Sequence, residues 1–479
     1  MKAYEWKPIE DLPEDWTKLV SSELGGLAAV WREHYETVKD GRALKQFNER
    51  LRREWAIETG IIENLYYIDR GTTETLIKKG IEASSIPHGS TDRPAELIVP
   101  ILKDQEEVVT GLFDFVGQQR HLSTSYIKQL HQALTQHQHT TAAKDSFGNM
   151  VEVELQRGDW KKLPNNPTKS DGSLHEYCPP EQVASEMDRL IELHQEHLEK
   201  GVPPEVEAAW LHHRFTQIHP FQDGNGRMAR TLASLIFLRA GLFPLVIHRD
   251  ERDDYIDRLE VADQGNIKSL VQFFLSSQKK AINQALSLSE NILSEGAPLE
   301  QVIAAAAERL KKRREDYSTG FEIGQKLEQF IKATLHKVAQ QLNITLRYID
   351  NNYLSALAFS NQDSHHAYDA DIADLAKQLN YFANTKTYSR WIYLSIREED
   401  QTKLIISLHA LGDNFSGVFA VLAFTQYSSE TLRTGNPYLL AKDFFQFTDK
   451  EQEQDVINRF RPWLDNVVLL GIDLWRRQL

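Results

Sequence analysis

Apolar residues recur at intervals of three and four along much of the first part of the chain, a spacing that predicts amphipathic helices. The segment 43–68, "ALKQFNERLRREWAIETGIIENLYYI", follows this pattern. So does 121–138, "HLSTSYIKQLHQALTQHQ", in which Ser123 or Thr124 is the expected N-cap. Two further helices are expected just after pairs of prolines, over 181–200 and 203–218.

A short β-rich stretch interrupts these helices. Residues 150–155, "MVEVEL", alternate apolar and polar side chains as a half-buried strand does. The stretch that follows is dense in Pro, Asn, Asp and Gly, which favours turns. We therefore expect an exposed hairpin between Asn165 and Tyr177, with its tip near Asp171 and Gly172.

The pattern changes again toward the C-terminus. Residues 299–342 have helical spacing, and their "KKRRE" run is more typical of a solvated helix face than of a nucleic-acid patch. Three β-rich segments follow, which predict an antiparallel meander: 390–398, 403–412 and 416–427. The chain is thus expected to comprise an N-terminal helical region (1–120), a second helical region (121–295) and an α+β domain of unknown role (296–479).

Composition narrows the class of protein. The 479 residues carry 69 acidic and 55 basic side chains, a net charge of −14, which argues against a surface devoted to nucleic acid. A single cysteine, Cys178, excludes an intrachain disulfide and favours a reducing cytoplasm. The most apolar stretch, 231–248, is interrupted by Arg239, Gly241 and Pro244. It predicts a buried helix and a turn, and we expect no membrane span.

The segment 218–230, "IHPFQDGNGRMAR", has the features of an anion site. Gly224 and Gly226 let the backbone turn tightly and approach a ligand. The helix expected after them would direct its first N–H groups at a negative charge. Arg227 and Arg230 add two cations on neighbouring helical turns, which is more positive charge than one phosphate needs. A di- or triphosphate is therefore the expected ligand.

Two further groups lie beside this loop. Asp223 is placed to hold a cation, and Mg²⁺ is the usual one with a nucleotide. His219 has the side chain of a proton acceptor near neutral pH. By themselves these residues leave simpler interpretations open, a structural histidine and an ordinary Gly-Asn-Gly turn. An EF-hand is excluded because its twelfth position is Ser234, and neither a Walker loop nor a zinc motif is present.

Residues 219–230, "HPFQDGNGRMAR", resemble the Fic motif, H-x-F-x-[DE]-G-N-G-R-x-x-R, at every defined position. "SYIKQLHQALT" is similar to the helix that opens the Fic core, and "LPNNPTKSDGSLHEYCPPEQV" to its flap hairpin. The resemblance covers roughly residues 50–290. It implies a mainly α fold: a Fic-type helical bundle with a β-hairpin flap, whose catalytic core is 121–295. The C-terminal α+β domain lies outside it.

The resemblance implies a protein adenylyltransferase, a nucleotidyltransferase that moves AMP from ATP to a Ser, Thr or Tyr hydroxyl of a protein and releases pyrophosphate. ATP is then the substrate and Mg²⁺ the cofactor. The partner would be a protein with a hydroxyl side chain, this chain itself included, which the flap would bind by strand addition. Homo-oligomerisation is left open. A related enzyme that uses another nucleotide or removes AMP, and a non-catalytic binding module, are the alternatives.

Residue roles follow from the same resemblance. His219 would deprotonate the hydroxyl, and Asp223 would hold Mg²⁺ between the α- and β-phosphates. Phosphate oxygens would be bound by Gly224, Asn225, Gly226, Arg227 and Arg230, with Arg227 on the β-phosphate and Arg230 on the γ-phosphate. Tyr255 lies either near the nucleobase pocket or in a helix core.

A second motif lies earlier in the chain. "TGIIEN", Thr59 to Asn64, resembles the inhibitory motif [ST]-x-x-x-E-[GN] of many Fic proteins. Thr59 and Glu63 are four residues apart, so they would share one helix face. The resemblance implies that Glu63 pairs with Arg230 and withholds it from the γ-phosphate. The alternative is an ordinary surface glutamate. Gly60 is mildly unfavourable inside such a helix and would make it easier to loosen.

Overall fold

The computed structural model describes residues 4–118, 120–144, 150–168, 172–288, 318–350, 352–360, 366–397, 400–412, 417–429 and 435–478. The chain divides into two compact units. The first combines Met1–Ser21 with Gln46–Gln278, and the second combines Ser22–Lys45 with Lys279–Leu479. The predicted boundary near residue 295 lies outside the described residues.

The first unit is built mainly from helices. They are α2 (Arg42–Ile62), α3 (Arg70–Lys79), α4 (Ala95–Gly117), α5 (Thr124–Leu134), α6 (Val183–Glu199), α7 (Pro204–Ile218), α8 (Asn225–Arg239), α9 (Arg252–Asp263) and α10 (Lys268–Leu286). The boundaries between the units fall inside α2, which belongs to this unit from Gln46 onward, and inside α10, which belongs to it up to Gln278. Helices α7 and α8 are buried at nearly every position and form the centre of the unit. Because the motif loop joins these two helices, it is held at both ends by buried helices.

The helices in this unit agree with the expected apolar spacing. Helix α5 begins at Thr124, and the Ser123 side chain accepts a hydrogen bond from the N–H of Tyr126, as an N-cap does. The two helices predicted after prolines are α6 and α7. Helix α2 ends at Ile62, earlier than the apolar pattern to residue 68 indicates.

Two hairpins emerge from the first unit. The predicted strand at 150–155 is β2 (Met150–Glu154), and it pairs antiparallel with β1 (Thr140–Lys144). The second is the hairpin expected between Asn165 and Tyr177, here called the flap. It is closed by an antiparallel bridge between Thr168 and Leu174. Gly172 has a left-handed φ of +82°, and Asp171 lies outside the described residues.

The end of α2 is fixed by its own apolar cluster. Ile57, near that end, and Tyr66, just beyond it, are buried, and both pack with α3 and α4. The other buried members of this cluster are Ile68, Leu76, Ile81, Ile98, Val99 and Leu102. Burial of this kind stabilises by about 1.5–3 kcal/mol per large aliphatic side chain, so the position of residues 57–66 is well defined.

The second unit contains the strands and helices of the C-terminal α+β region together with Ser22–Lys45 from near the N-terminus. Its strands are β3 (Leu354–Phe359), β4 (Ala383–Arg397), β5 (Gln401–Leu411), β6 (Val418–Ser428), β7 (Tyr438–Leu439) and β8 (Phe445–Thr448). The sheet order is β3-β4-β5-β6-β7 with β8 also on β6, all antiparallel, so the expected meander over β4 to β6 is confirmed. The helices are α1 (Ser22–Val38), α11 (Ser318–Arg347), α12 (Asp369–Gln378) and α13 (Glu453–Arg476). The "KKRRE" run lies outside the described residues.

We find no helix in the described part of the chain that combines the length and the apolar character needed to cross a membrane.

Candidate active site

The loop between α7 and α8 is held in an unusual backbone conformation. His219 ends α7 with φ 52° and ψ 57°, and its N–H donates to the carbonyl of Phe215 at 2.9 Å. A left-handed non-glycine residue is uncommon and tends to mark a functional position. Phe221 is fully buried and anchors the loop, stacked on the His131 ring at 3.7 Å between centroids.

Asn225 closes the loop from inside. Its Oδ1 accepts the N–H of Phe221 at 2.9 Å, and its Nδ2 donates to the carbonyl of Phe221 at 2.8 Å. Both ends of the side-chain amide are therefore engaged. Any contact of Asn225 with an anion would come from its backbone N–H at the start of α8, where the first N–H groups lack intrahelical acceptors.

The two arginines of the motif are buried and incompletely paired. Arg227 is 0% and Arg230 1% exposed. Arg227 donates to Gln138 Oε1 at 2.6 Å, but its Nε and Nη1 find no acceptor among the described residues, nor does Arg230 Nη1. Buried donors without acceptors are costly, and charged ones more so. Three such N–H-bearing atoms at a helix N-terminus suit a ligand with several anionic oxygens.

Arg230 is also held by the end of α2. Its Nη2 donates to Glu63 Oε1 at 2.7 Å, and its Nε donates to Thr59 Oγ1 at 2.7 Å. Burial, the largest single effect, lowers the pKa of Arg230, but Glu63 and Tyr255 together outweigh it, so that the pKa is raised. A Cβ atom built on Gly226 would lie 2.1 Å from Glu63 Oε1. The Glu63 carboxylate thus lies directly against Gly226, the second residue of α8.

The local backbone explains the remaining positions of the second motif. Glu63 lies one residue beyond α2, and Asn64 follows with a left-handed φ of 55°. Gly and Asn tolerate that conformation best, which accounts for the sixth motif position. A Cβ on Gly60 would lie 2.0 Å from the Tyr66 hydroxyl. Gly60 therefore has a packing role, because only a residue without a side chain admits Tyr66.

The surroundings of Asp223 favour its ionised carboxylate. It accepts hydrogen bonds from Gln138 Nε2 at 2.7 Å, Thr141 Oγ1 at 2.9 Å and the N–H of Gly224 at 2.6 Å. Burial alone would raise its pKa, but Arg227 and these hydrogen bonds lower it. Mg²⁺ typically binds one or two carboxylates together with substrate phosphates. We find no cluster of three or more metal-ligating side chains within the described ranges.

His219 is a neutral imidazole in this setting. Burial first, and then Lys161, lower its pKa to about 3. Its Nδ1 lies 3.3 Å from the carbonyl of Thr216, so a neutral ring that donates there leaves Nε2 as the acceptor. The Tyr177 ring stacks on it at 3.7 Å between centroids, with an angle of 8° between the planes. The side chain is thus oriented and able to accept a proton.

Several residues at this site were not anticipated from the sequence. Gln138 and Thr141 hold Asp223 from 85 and 82 residues away, and Asn165 Nδ2 donates to the carbonyl of Phe221 at 2.9 Å. His131 Nε2 lies 3.0 Å from the carbonyl of Asp223. None of them has a spacing that points to the motif loop, because they come from α5, its connection to β1, β1 itself and the flap.

Tyr255 lies in the helical core, the second of the two positions expected for it. Its side chain is 2% exposed, and its hydroxyl lies 2.8 Å from His212 Nε2. Burial raises its pKa to about 12, and Arg230 partly offsets this. The residue is a core aromatic beside Arg230.

Comparison with known proteins identifies the helical segment that carries the loop. Residues 121–237 match the model of the Fic/DOC family. The protein adenylyltransferase Fic of Drosophila persimilis is 32% identical over 122 residues, which are 26% of this chain and 24% of that protein. That of Aedes aegypti is 36% identical over 96 residues, 20% of this chain and 19% of that protein. The chain therefore spans about a quarter or less of these relatives. A solved Fic domain containing signaling protein from Bacteroides thetaiotaomicron has a TM-score of 0.45 at 23% identity, covering 58% of this chain and 100% of that one.

Proposed function

Since residues 121–237 match the model of the Fic/DOC family, we propose that this protein is a protein adenylyltransferase. It transfers AMP from ATP to a Ser, Thr or Tyr hydroxyl of a protein and releases pyrophosphate. One observation carries the proposal. The N-terminus of α8 combines the glycine loop with two buried guanidinium groups whose N–H atoms are only partly paired. That arrangement suits the phosphates of a nucleotide.

The phosphates would bind along the start of α8. Backbone N–H groups from Asn225 to Arg227 would contact phosphate oxygens, with Arg227 at the β-phosphate and Arg230 at the γ-phosphate. Asp223 would hold Mg²⁺, which would neutralise phosphate charge when bound. Positioning and charge stabilisation account for most of the catalysis in transfers of this kind.

His219 would act on the acceptor. Its Nε2 would take the proton as the hydroxyl oxygen attacks the α-phosphorus. A new oxygen–phosphorus bond forms, the bond from the α-phosphorus to the α–β bridging oxygen breaks, and pyrophosphate leaves with the electron pair. The neutral state and fixed orientation of the imidazole support this role.

Glu63 would inhibit the enzyme in its resting state. The carboxylate pairs with Arg230 and lies on Gly226, so a γ-phosphate would compete with it for the same cation and the same space. Separating a buried ion pair costs several kcal/mol. ATP would therefore bind weakly, or without the γ-phosphate in place, until α2 shifts.

The acceptor is proposed to be another protein or this chain itself, bound at the flap by strand addition. A reducing cytoplasm is the proposed setting because the single cysteine, Cys178, allows no intrachain disulfide.

Labelled ATP tests the proposal. Glu63→Gly protein is incubated with Mg²⁺ and ATP labelled on either the α- or the γ-phosphate, in parallel with His219→Ala in the same background. Transfer of AMP incorporates the α-label and not the γ-label, and His219→Ala should reduce it by ~10²–10⁴-fold. Parallel incubations with GTP, UTP and CTP identify a different donor. Incorporation of the γ-label, or equal labelling by His219→Ala, would contradict the mechanism.

A further inference from the structure

The N-terminal segment Tyr4–Leu12, here called the strap, runs along the flap. Tyr4 forms a parallel bridge with His175, and the N–H of Glu176 donates to the carbonyl of Tyr4 at 3.0 Å. The indole of Trp6 donates to Gln182 Oε1 at 3.2 Å. A hairpin edge is usually open to pairing with another chain. Here the chain's own strap pairs with the 174–176 edge.

The strap is anchored firmly beyond Tyr4. Ile9 is 1% exposed, and the carbonyl of Glu10 accepts hydrogen bonds from both Trp210 and Arg214 of α7. Two further contacts anchor the strap to α6. The N–H of Ile9 donates to Glu186 Oε2 at 2.8 Å, and His197 Nε2 lies 2.6 Å from Asp11 Oδ1. Because α7 ends in His219, the strap is fixed to the helix that presents the proposed base.

A series of aromatic rings connects the strap with His219. Tyr4 stacks on His175 with centroids 4.6 Å apart and an interplanar angle of 14°. His175 lies 4.9 Å from Tyr177, whose ring lies flat on His219. The Tyr4 hydroxyl accepts from Gln217 Nε2 at 2.6 Å, two residues before His219. The strap therefore contacts both the flap and the helix end that the flap covers.

We infer that Tyr4 is a positioning residue, which holds the flap where Tyr177 fixes the His219 ring and where an acceptor hydroxyl can meet it. The inference rests on the proposed function. None of the hydrogen bonds and ring contacts described for Tyr4 involves Arg227 or Arg230. Loss of the Tyr4 ring should therefore impair transfer to a hydroxyl while nucleotide binding is unchanged. If the strap only stabilised the fold, loss of the Tyr4 ring would impair hydroxyl transfer and nucleotide binding alike.

The experiment uses the full chain in the Glu63→Gly background, with Tyr4→Ala, Tyr4→Phe and a matched control, Lys7→Ala, an exposed residue of the same strap. Three quantities are measured: amide hydrogen exchange at Glu176, ATP affinity by calorimetry, and the rate of self-labelling from α-labelled ATP at saturation. Tyr4→Ala should exchange faster at Glu176 and label about fivefold more slowly, the scale of one lost aromatic pair. Its ATP affinity should equal that of the background protein.

Tyr4→Phe keeps the ring and should be close to the background protein, as should Lys7→Ala. If amide hydrogen exchange at Glu176 is unchanged in Tyr4→Ala, the strap does not support the flap, whatever the labelling rate. Faster exchange with an unchanged labelling rate, or with an equal loss of ATP affinity, would overturn the positioning role. Failure of the proposed function has a different signature, since the Glu63→Gly protein itself would then incorporate no α-label while the exchange result still stands.

Discussion

At the scale of single residues, the site depends on side chains kept in one protonation state by their surroundings. Burial holds His219 neutral, whereas Arg227 and three hydrogen bonds hold Asp223 ionised despite burial. A proposed base and a proposed metal ligand thus coexist four positions apart. Desolvation acts against the charged form of both groups, and only Asp223 has enough compensating contacts to stay charged.

The pKa of His219, lowered to about 3, predicts the pH profile. A base with a lowered pKa is competent above that pKa, so the acid limb of kcat/KM should not pass through 6.5, the usual value for histidine. We expect nearly constant kcat/KM for ATP between pH 8 and 5 in the Glu63→Gly protein. The measurement is initial labelling rates with Mg²⁺ in excess. An inflection near pH 6.5 that disappears in His219→Ala would show that the imidazole titrates normally.

At the scale of elements, the end of α2 and a nucleotide phosphate are proposed to compete for the start of α8. The end of α2 carries Thr59 and Glu63 onto Arg230, and the apolar cluster around Ile57 and Tyr66 fixes that end. Inhibition is therefore proposed to depend on the packing of a whole helix end as well as on one ion pair.

Removing the ion pair tests this competition. Glu63→Gly should raise self-labelling by ~10²–10³-fold, the usual cost of losing one phosphate donor at such a site. Arg230→Ala should cancel the gain, because that variant lacks the cation for which the carboxylate and the γ-phosphate compete. The four proteins, parent, both single variants and the double, are compared by labelling from α-labelled ATP. Equal labelling of parent and Glu63→Gly would leave Glu63 as a structural residue.

Gly60→Ala tests the packing of the helix end. The added methyl group would lie 2.0 Å from the Tyr66 hydroxyl, so either the buried Tyr66 ring or the end of α2 must shift. Overpacking of this kind costs about 1–3 kcal/mol, and labelling should rise severalfold as Glu63 moves. Gly111→Ala in α4 is the control, because its Cβ meets no atom within 4 Å. Activation by both variants, or by neither, would contradict the role of Gly60 in inhibition.

At the scale of the whole molecule, the C-terminal unit has a polar feature deep in its core. His409 is 0% exposed on β5, and its Nε2 lies 2.9 Å from the Tyr381 hydroxyl. Burial lowers its pKa to about 3. The folded unit therefore keeps this ring neutral under conditions where an unfolded chain would protonate it.

Acid should destabilise this unit by a predictable amount. Below pH 6.5 the unfolded chain binds a proton at His409 that the folded chain excludes, so stability falls as the pH drops from 6.5 toward 3. At pH 5 this effect lowers the free energy of unfolding by about 2 kcal/mol. Urea unfolding at pH 7 and pH 5 measures the loss, which His409→Gln should reduce by about that amount. His336→Gln, an exposed histidine on α11, is the control, and an equal effect there would refute the assignment.

The sequence by itself determined the parts whose groups lie close together in the chain. Residues 218–230 contain the glycines, the aspartate and both arginines of the motif loop, and these residue types predict an anionic ligand. Helical spacing predicted α5 to α7, and β-rich segments predicted the meander, because both patterns are local properties of the sequence. The strand β1 was missed because "TTAAK" has no clear alternation. The end of α2 was missed because the left-handed Asn64 interrupts an apolar pattern that continues past it.

Only the tertiary structure decided which distant groups support the loop. Gln138 approaches Asp223 from 85 residues away, and Tyr4 reaches Gln217 from 213. The Glu63–Arg230 pair, 167 residues apart, is the exception, because the resemblance to a known motif implied it and the structure contains it. No sequence spacing encodes the other two contacts, because they arise where separate helices and hairpins pack together. Their strength comes from burial, which removes competing water from each hydrogen bond and charge. Sequence therefore predicts the chemistry of the loop, and packing sets its orientation, its protonation states and the contacts proposed to inhibit it.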